Sequence, residues 1–233
     1  MKQQTENEYY IHGDFRNHGY KGKLLPKTLK KIGKVDICIC EGTVFSRPRE
    51  KALTEQELAN EIAEKTKNYN QVLMLMSTTN IDRVTTMQKV ANKTHKTVIH
   101  DLLLSNVMQL VTQKIPNALN SNKVYVYMPT YMYWLRNKPE YRPYIEPFEQ
   151  KMKQTGRILR EGNFITNIRI SFARDIEKLK LKNKVLDNCC VVWSLWNGYK
   201  EEEEYKHFLD KMKELQIDVI DGHTSRTRRL YSI

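Results

Sequence analysis

From Thr54 to Met128 the chain alternates short apolar runs with stretches of helical period, and this alternation restricts its fold more than any other feature. The runs "QVLMLMS", "TVIH" and "KVYVYM" have strand length. Between them, "NIDRVTTMQKVANKT" places Ile81, Val84, Met87 and Val90 at helical spacing, and "DLLLSNVMQLVTQ" also reads as a helix. Ahead of the first run, "TEQELANEIAEKTKNYN" reads as a helix with Leu58 and Ile62 on one face, Thr54 as N-cap and Glu57 completing a capping box. Strands alternating with helices predict βαβ units, a parallel sheet and an α/β fold class. The pattern resumes in "NFITNIRIS" and "NCCVVWSLWNG", then the helix "EEEEYKHFLDKMKELQ", whose acidic first turn suits the helix dipole, then "IDVID". Two further strands are expected upstream, "EYYI" and "KVDICICEG", the second of them buried. The stretch "PTYMYWLRNKPEYRPYIEPF" is rich in aromatics and Pro and reads as an irregular, partly helical excursion.

A chain of 233 residues is one large domain or two small ones. Hydrophobic residues at 40% and charged residues at 28% fit a globular protein. With no bilayer-length apolar run and no charged-then-apolar leader, a soluble, cytoplasmic protein without a membrane partner is expected, and a homo-oligomer is open to it. The 39 Lys and Arg exceed the 27 Asp and Glu, giving a formal net charge of +12. Such a surplus favours polyanionic partners, because phosphate contacts release counterions; the plainer reading is a solvated Lys-rich surface. Cys38, Cys40, Cys189 and Cys190 lack the C-x-x-C spacing of a zinc or redox site, so buried thiols are expected.

Five short motifs follow one another along the chain: "HGDFRNHG", "DICICEGT", "STTNIDR", "VVWSLWNGY" and "GHTS". In order and spacing they resemble the metallo-β-lactamase-fold hydrolases that carry a β-CASP domain, such as ribonuclease J and the cleavage-factor nucleases. The resemblance implies a metallo-β-lactamase domain holding two zinc ions, an inserted α/β β-CASP domain over the active site, and a nucleic-acid phosphate in the cleft between them. Residues 1–50 are then a partial metallo-β-lactamase αββα domain, 51–222 a parallel-sheet β-CASP domain, and 223–233 a tail.

By the same resemblance Asp14 is the metal-bridging carboxylate and Glu41 the acid that orients a catalytic-site His. A shared anion lets two cations sit about 3.5–4 Å apart and activate one water; the alternative for Gly13-Asp14 is a plain turn after a strand, and for Glu41 a strand-terminal acid facing water. "STTNIDR" stands between a strand and a helix, where Ser77, Asn80 and the helix start offer donors and Arg83 is suited to bidentate phosphate binding. The alternative is that Asn80 caps the helix and Arg83 is solvated. Ser194 matches a small polar position near the bound phosphate. Trp196 is a candidate for base stacking; Trp193 reads better as core, and His12, His18 and His100 as structural or surface residues.

The motif H-x-H-x-D-H, which supplies most zinc ligands in the family, is absent from the thirteen residues before Asp14. At the other end His223-Thr224-Ser225 runs into Arg-Thr-Arg-Arg, where the family reads Gly-His-Ala. The codons CGG ACA CGC AGA encode Arg-Thr-Arg-Arg; read one nucleotide later they give Gly-His-Ala. The expectation is an inactive fragment of a longer zinc-dependent phosphodiester hydrolase, acting on RNA, with its tail from Arg226 out of frame; a natural basic tail is the alternative, and the nucleotide sequence decides. Two other functions stay open: a non-catalytic nucleic-acid-binding module, and a small-molecule hydrolase of the same superfamily.

Overall fold

A computed structural model describes residues 8–12, 19–20, 24–40, 53–111 and 114–222. The chain divides into two compact units, one formed by residues 1–56 with 224–233 and the other by Glu57–His223. Asp14, His18, Glu41 and the tail from His223 lie outside the described residues.

In the first unit, strands β1 (Tyr9–His12) and β2 (Ile37–Cys40) pair in parallel, Tyr9 opposite Ile37 and His12 opposite Cys40. Helix α1 (Leu25–Ile32) stands between them in sequence, with Pro in its first turn, Lys30 and Lys31 in its last, and Gly33 ending it at φ +81. The apolar strand expected to be buried is not. Ile37 and Ile39 are 40% and 52% exposed, and Cys38 is exposed as well. Alternating apolar residues are covered only when a sheet has both neighbours and a packed face. Among the described residues β2 has one neighbouring strand.

The second unit is an α/β fold around six parallel strands: β3 (Gln71–Leu75), β4 (Thr97–Asp101), β5 (Val124–Tyr127), β6 (Phe164–Ile168), β7 (Cys189–Trp193) and β8 (Asp218–Asp221). Their spatial order is β5-β4-β6-β3-β7-β8. The central strands β3, β6 and β7 are buried along their whole length, as expected of strands covered on both faces. Gln71 is in register with both Phe164 and Cys189. Strand β8 closes one edge with Asp218 and Asp221 exposed on it, charges that discourage edge-to-edge pairing.

From β3 the chain steps to β4 and β5 through α3 (Ile81–Lys93) and α4 (Leu102–Leu110), then returns to β6, β7 and β8 through α6 (Glu149–Glu161), α7 (Ala173–Glu177) and α8 (Glu203–Glu214). Right-handed crossovers therefore put the first pair on one face and the later three on the other. Side chains agree: Leu73, Ile99, Val191 and Trp193 join one apolar cluster with Ile158, Phe172, Ile176 and Phe208. Helix α2 (Glu55–Thr66) precedes β3 and buries Leu58 and Ile62, and α3 buries Val84, Met87 and Val90. The excursion between β5 and α6 is a string of short helical turns, mostly 3-10, with α5 (Arg142–Ile145) among them. Helix α6 has no counterpart in the sequence reading, because it buries only Thr155 and Ile158. It ends at Gly162 (φ +75), in the left-handed conformation that glycine adopts without strain.

Cys189 and Cys190 are buried as expected, and burial pushes their thiols up to about 11 and about 12. No described helix is long and apolar enough to cross a membrane.

His100 on β4 is fully buried, and desolvation of its charged form lowers its pKa to about 3. Gln88 on α3 donates to its Nε2 at 3.3 Å, so Nδ1 carries the proton, and this N–H finds no partner. Between about pH 3 and 6.5 the unfolded chain takes up a proton that the folded chain refuses, so stability is full above 6.5 and falls with acidification through that window. In urea titrations between pH 6 and 4, the wild type is expected to lose about 1.4 kcal/mol per unit of pH more than His100→Leu. In that variant Gln88 keeps its bond to the Pro116 carbonyl at 3.2 Å. Parallel losses in the two proteins would refute the assignment of a neutral buried ring.

Candidate functional site

All six strands run the same way, so their carboxyl ends share one edge of the sheet. In the chain, β3 and β4 are followed by helices on one face, β6 and β7 by helices on the other. The crevices between β4 and β6, and between β3 and β7, therefore open at points where the connections diverge, the usual place for a ligand in an open parallel sheet.

At the β3/β7 crevice the structure brings Arg83 and Ser194 together. Arg83 lies in the first turn of α3 yet is only 2% exposed. Its Nη1 donates to the Gly222 carbonyl at 2.8 Å and to the Ser194 carbonyl at 3.4 Å, and it also bonds Ser194 Oγ. The Ser194 hydroxyl donates in turn to the Gly222 carbonyl at 2.9 Å. Neither expectation for Arg83 foresaw this: it is neither solvated nor presented on the surface as a fork for phosphate. A guanidinium has donors enough to gather carbonyls from two strand ends that the sheet leaves without ladder partners. Gly222 reaches this position because it has no side chain; a Cβ there would lie 2.3 Å from Val192 Cγ1.

Asn80 caps α3, its Oδ1 accepting from the Arg83 N–H at 3.2 Å. Ser77 is exposed, and its hydroxyl lies 3.0 Å from that of Thr79. Ser77 and Asn80 thus stand at the mouth of the crevice, with Arg83 and Ser194 beneath. Trp193 is core, and Trp196 is 47% exposed with its ring edge-on to Tyr199.

The β4/β6 crevice holds a second polar group, for which the sequence offers no motif. Asp101 ends β4 and caps α4, accepting from the Leu104 N–H at 2.6 Å. It is fully buried and pairs with Arg169 Nη2 at 3.1 Å. Burial raises its pKa, while Arg169, the Leu104 amide and Asn167 act in the opposite direction. Asn167 also accepts from the Asp101 N–H at 2.9 Å. Arg169 also bonds the Tyr131 hydroxyl and lies over the rings of Tyr131 and Phe172. The one sequence signal was a polar residue at each of two apolar runs, Asp101 directly after "TVIH" and Asn167 within "FITNI".

The two residues that the resemblance ties to zinc chemistry, Asp14 and Glu41, fall outside the described residues. Among the described residues no three His, Cys, Asp or Glu side chains gather as a metal ligand set. Scanning the chain against protein-family models gives no match, and searches of curated proteins and of solved structures give none either.

The geometry of Arg83 fixes what its removal does. Arg83→Ala strips a buried cation from two carbonyls and a hydroxyl, and charged hydrogen bonds are worth roughly 1.5–3 kcal/mol each before cavity costs. Chemical unfolding should show a loss of about 3 kcal/mol or more, against about 1 kcal/mol for the cap variant Asn80→Ala and under about 0.5 for exposed Ser77→Ala. An Arg83→Ala protein as stable as Ser77→Ala would contradict the buried arrangement.

Proposed function

We propose that this chain belongs to a phosphodiester hydrolase of the metallo-β-lactamase, β-CASP kind, and that its parallel-sheet unit holds the phosphate backbone of RNA. The observation that carries the reading is the convergence of Ser77, Asn80, Arg83 and Ser194, all singled out beforehand from the motifs, at one crevice on the carboxyl edge of the sheet. In this reading the Ser77 hydroxyl and the start of α3 meet the phosphate, since helix starts present N–H donors and partial positive charge. Arg83 serves differently from the initial expectation. Sunk below the mouth, it adds a positive field and holds Ser194 and the strand ends in place. The net charge of +12 supplies the long-range attraction.

The zinc pair of such enzymes needs about three or four protein ligands for each ion. The described residues do not provide such a set. Binding is therefore the direct readout. Fluorescence anisotropy with labelled RNA should give an affinity that falls steeply with salt, as counterion release requires. Ser77→Glu, a surface change that places negative charge at the crevice mouth, should weaken binding by about ten-fold with an unchanged Tm. Absence of RNA binding at low salt, or an unaltered affinity in Ser77→Glu, would defeat the proposal.

A further inference from the structure

Beyond the crevice, the excursion between β5 and α6 carries a surface that the phosphate reading leaves unused. Tyr131, Tyr133, Trp134 and Tyr144 are 40–55% exposed, which makes them four of the five large aromatics exposed among the described residues. They are interleaved with Arg136, Lys138 and Arg142, against the single acid Glu140. Large aromatics left in water over so short a stretch call for an occupant, and the cations between them point to an anionic one.

The segment is also held in shape. At its start, Asp175 Oδ1 accepts from the Tyr127 hydroxyl at 2.8 Å, from the Thr130 N–H at 3.1 Å and from the Thr130 hydroxyl. The next residue, Tyr131, is bonded to Arg169 and its ring is tilted against Phe172 at 6.0 Å. Trp134 stands edge-on to Tyr141 at 5.8 Å. Near the end, Asn106 of α4 donates to the Tyr144 carbonyl at 3.0 Å. Residues Thr130–Asn137 form 3-10 helix, in which side chains three apart line up, so Tyr131 and Trp134 share one face. Exposed rings with cations between them in one short segment match the requirements of unpaired bases on a phosphate backbone, where rings stack on bases of any sequence and the charges track the strand.

We propose that residues 131–144 are a stacking platform for single-stranded nucleic acid. This inference rests on the phosphate-binding reading and extends it: the crevice holds backbone, and the excursion holds the bases of an unpaired strand.

The test is a titration with fluorescein-labelled oligouridine and with an RNA duplex of equal length, at about 50 and 200 mM salt. The wild type should bind the single strand more tightly than the duplex, with quenching of the exposed tryptophans. Trp134→Ala should weaken single-strand binding about ten-fold, within the range for one stacked base, and Trp134→Phe should restore most of it. Tm should stay unchanged in both, because the side chain is more than half exposed. Wild-type binding retained in both Trp134→Ala and Tyr133→Ala would overturn the platform and leave the phosphate crevice standing. Absence of binding to any nucleic acid would end both readings together. Sedimentation of the same proteins covers the remaining occupant: if Trp134→Ala dissociates an oligomer and spares RNA affinity, the surface is a contact between copies of this chain and the platform is refuted.

Discussion

A positive charge sits below the carboxyl edge of the sheet, and the ends of three elements depend on it. Arg83 gathers the last carbonyls of the β7 and β8 segments and the Ser194 hydroxyl onto the first turn of α3. Without such a donor, parallel strands that diverge at their ends leave carbonyls buried with no ladder partner, at a cost of about 1–3 kcal/mol each. The guanidinium thus supplies at once the closure of the crevice floor and a fixed charge beneath its mouth.

A second buried ion pair governs the neighbouring crevice. Asp101 is completely buried; desolvation raises its pKa, and the pairing with Arg169 and the Leu104 amide opposes that rise. Burying a carboxylate is tolerable only with several such partners. Arg169 then continues outward to Tyr131, so the interior of the sheet is joined through one side chain to the aromatic surface.

The sheet was legible in the sequence because its strands are short apolar runs and its early helices keep a clean 3.6-residue period. Val84, Met87 and Val90 are as buried as their spacing implied. Helix α6 escaped because a helix that buries only Thr155 and Ile158 carries almost no periodic signal. The "VDICIC" strand misled in the opposite direction: alternation states which side chains share a side, not whether anything covers them. At the crevices, residue types were readable and depth was not. Arg83 sits three residues after a cap, where a helix surface is expected, and it is buried only because β7 and β8 end over it. Asp101, Asn167 and Arg169 belong to no motif, and only the insertion of β6 beside β4 brings them together.

That insertion bears on how the unit is assembled. Strands β3 and β4 are made first yet never touch as neighbours, because β6 lies between them, and β3 receives its second partner only when β7 arrives. A nascent chain halted before Phe164 has no ladder to join Gln71–Leu75 to Thr97–Asp101. The middle of the sheet must stay open until distant sequence closes it, so the unit depends on pairings of large sequence separation, the kind that slow folding and leave unfinished chains prone to stick to one another.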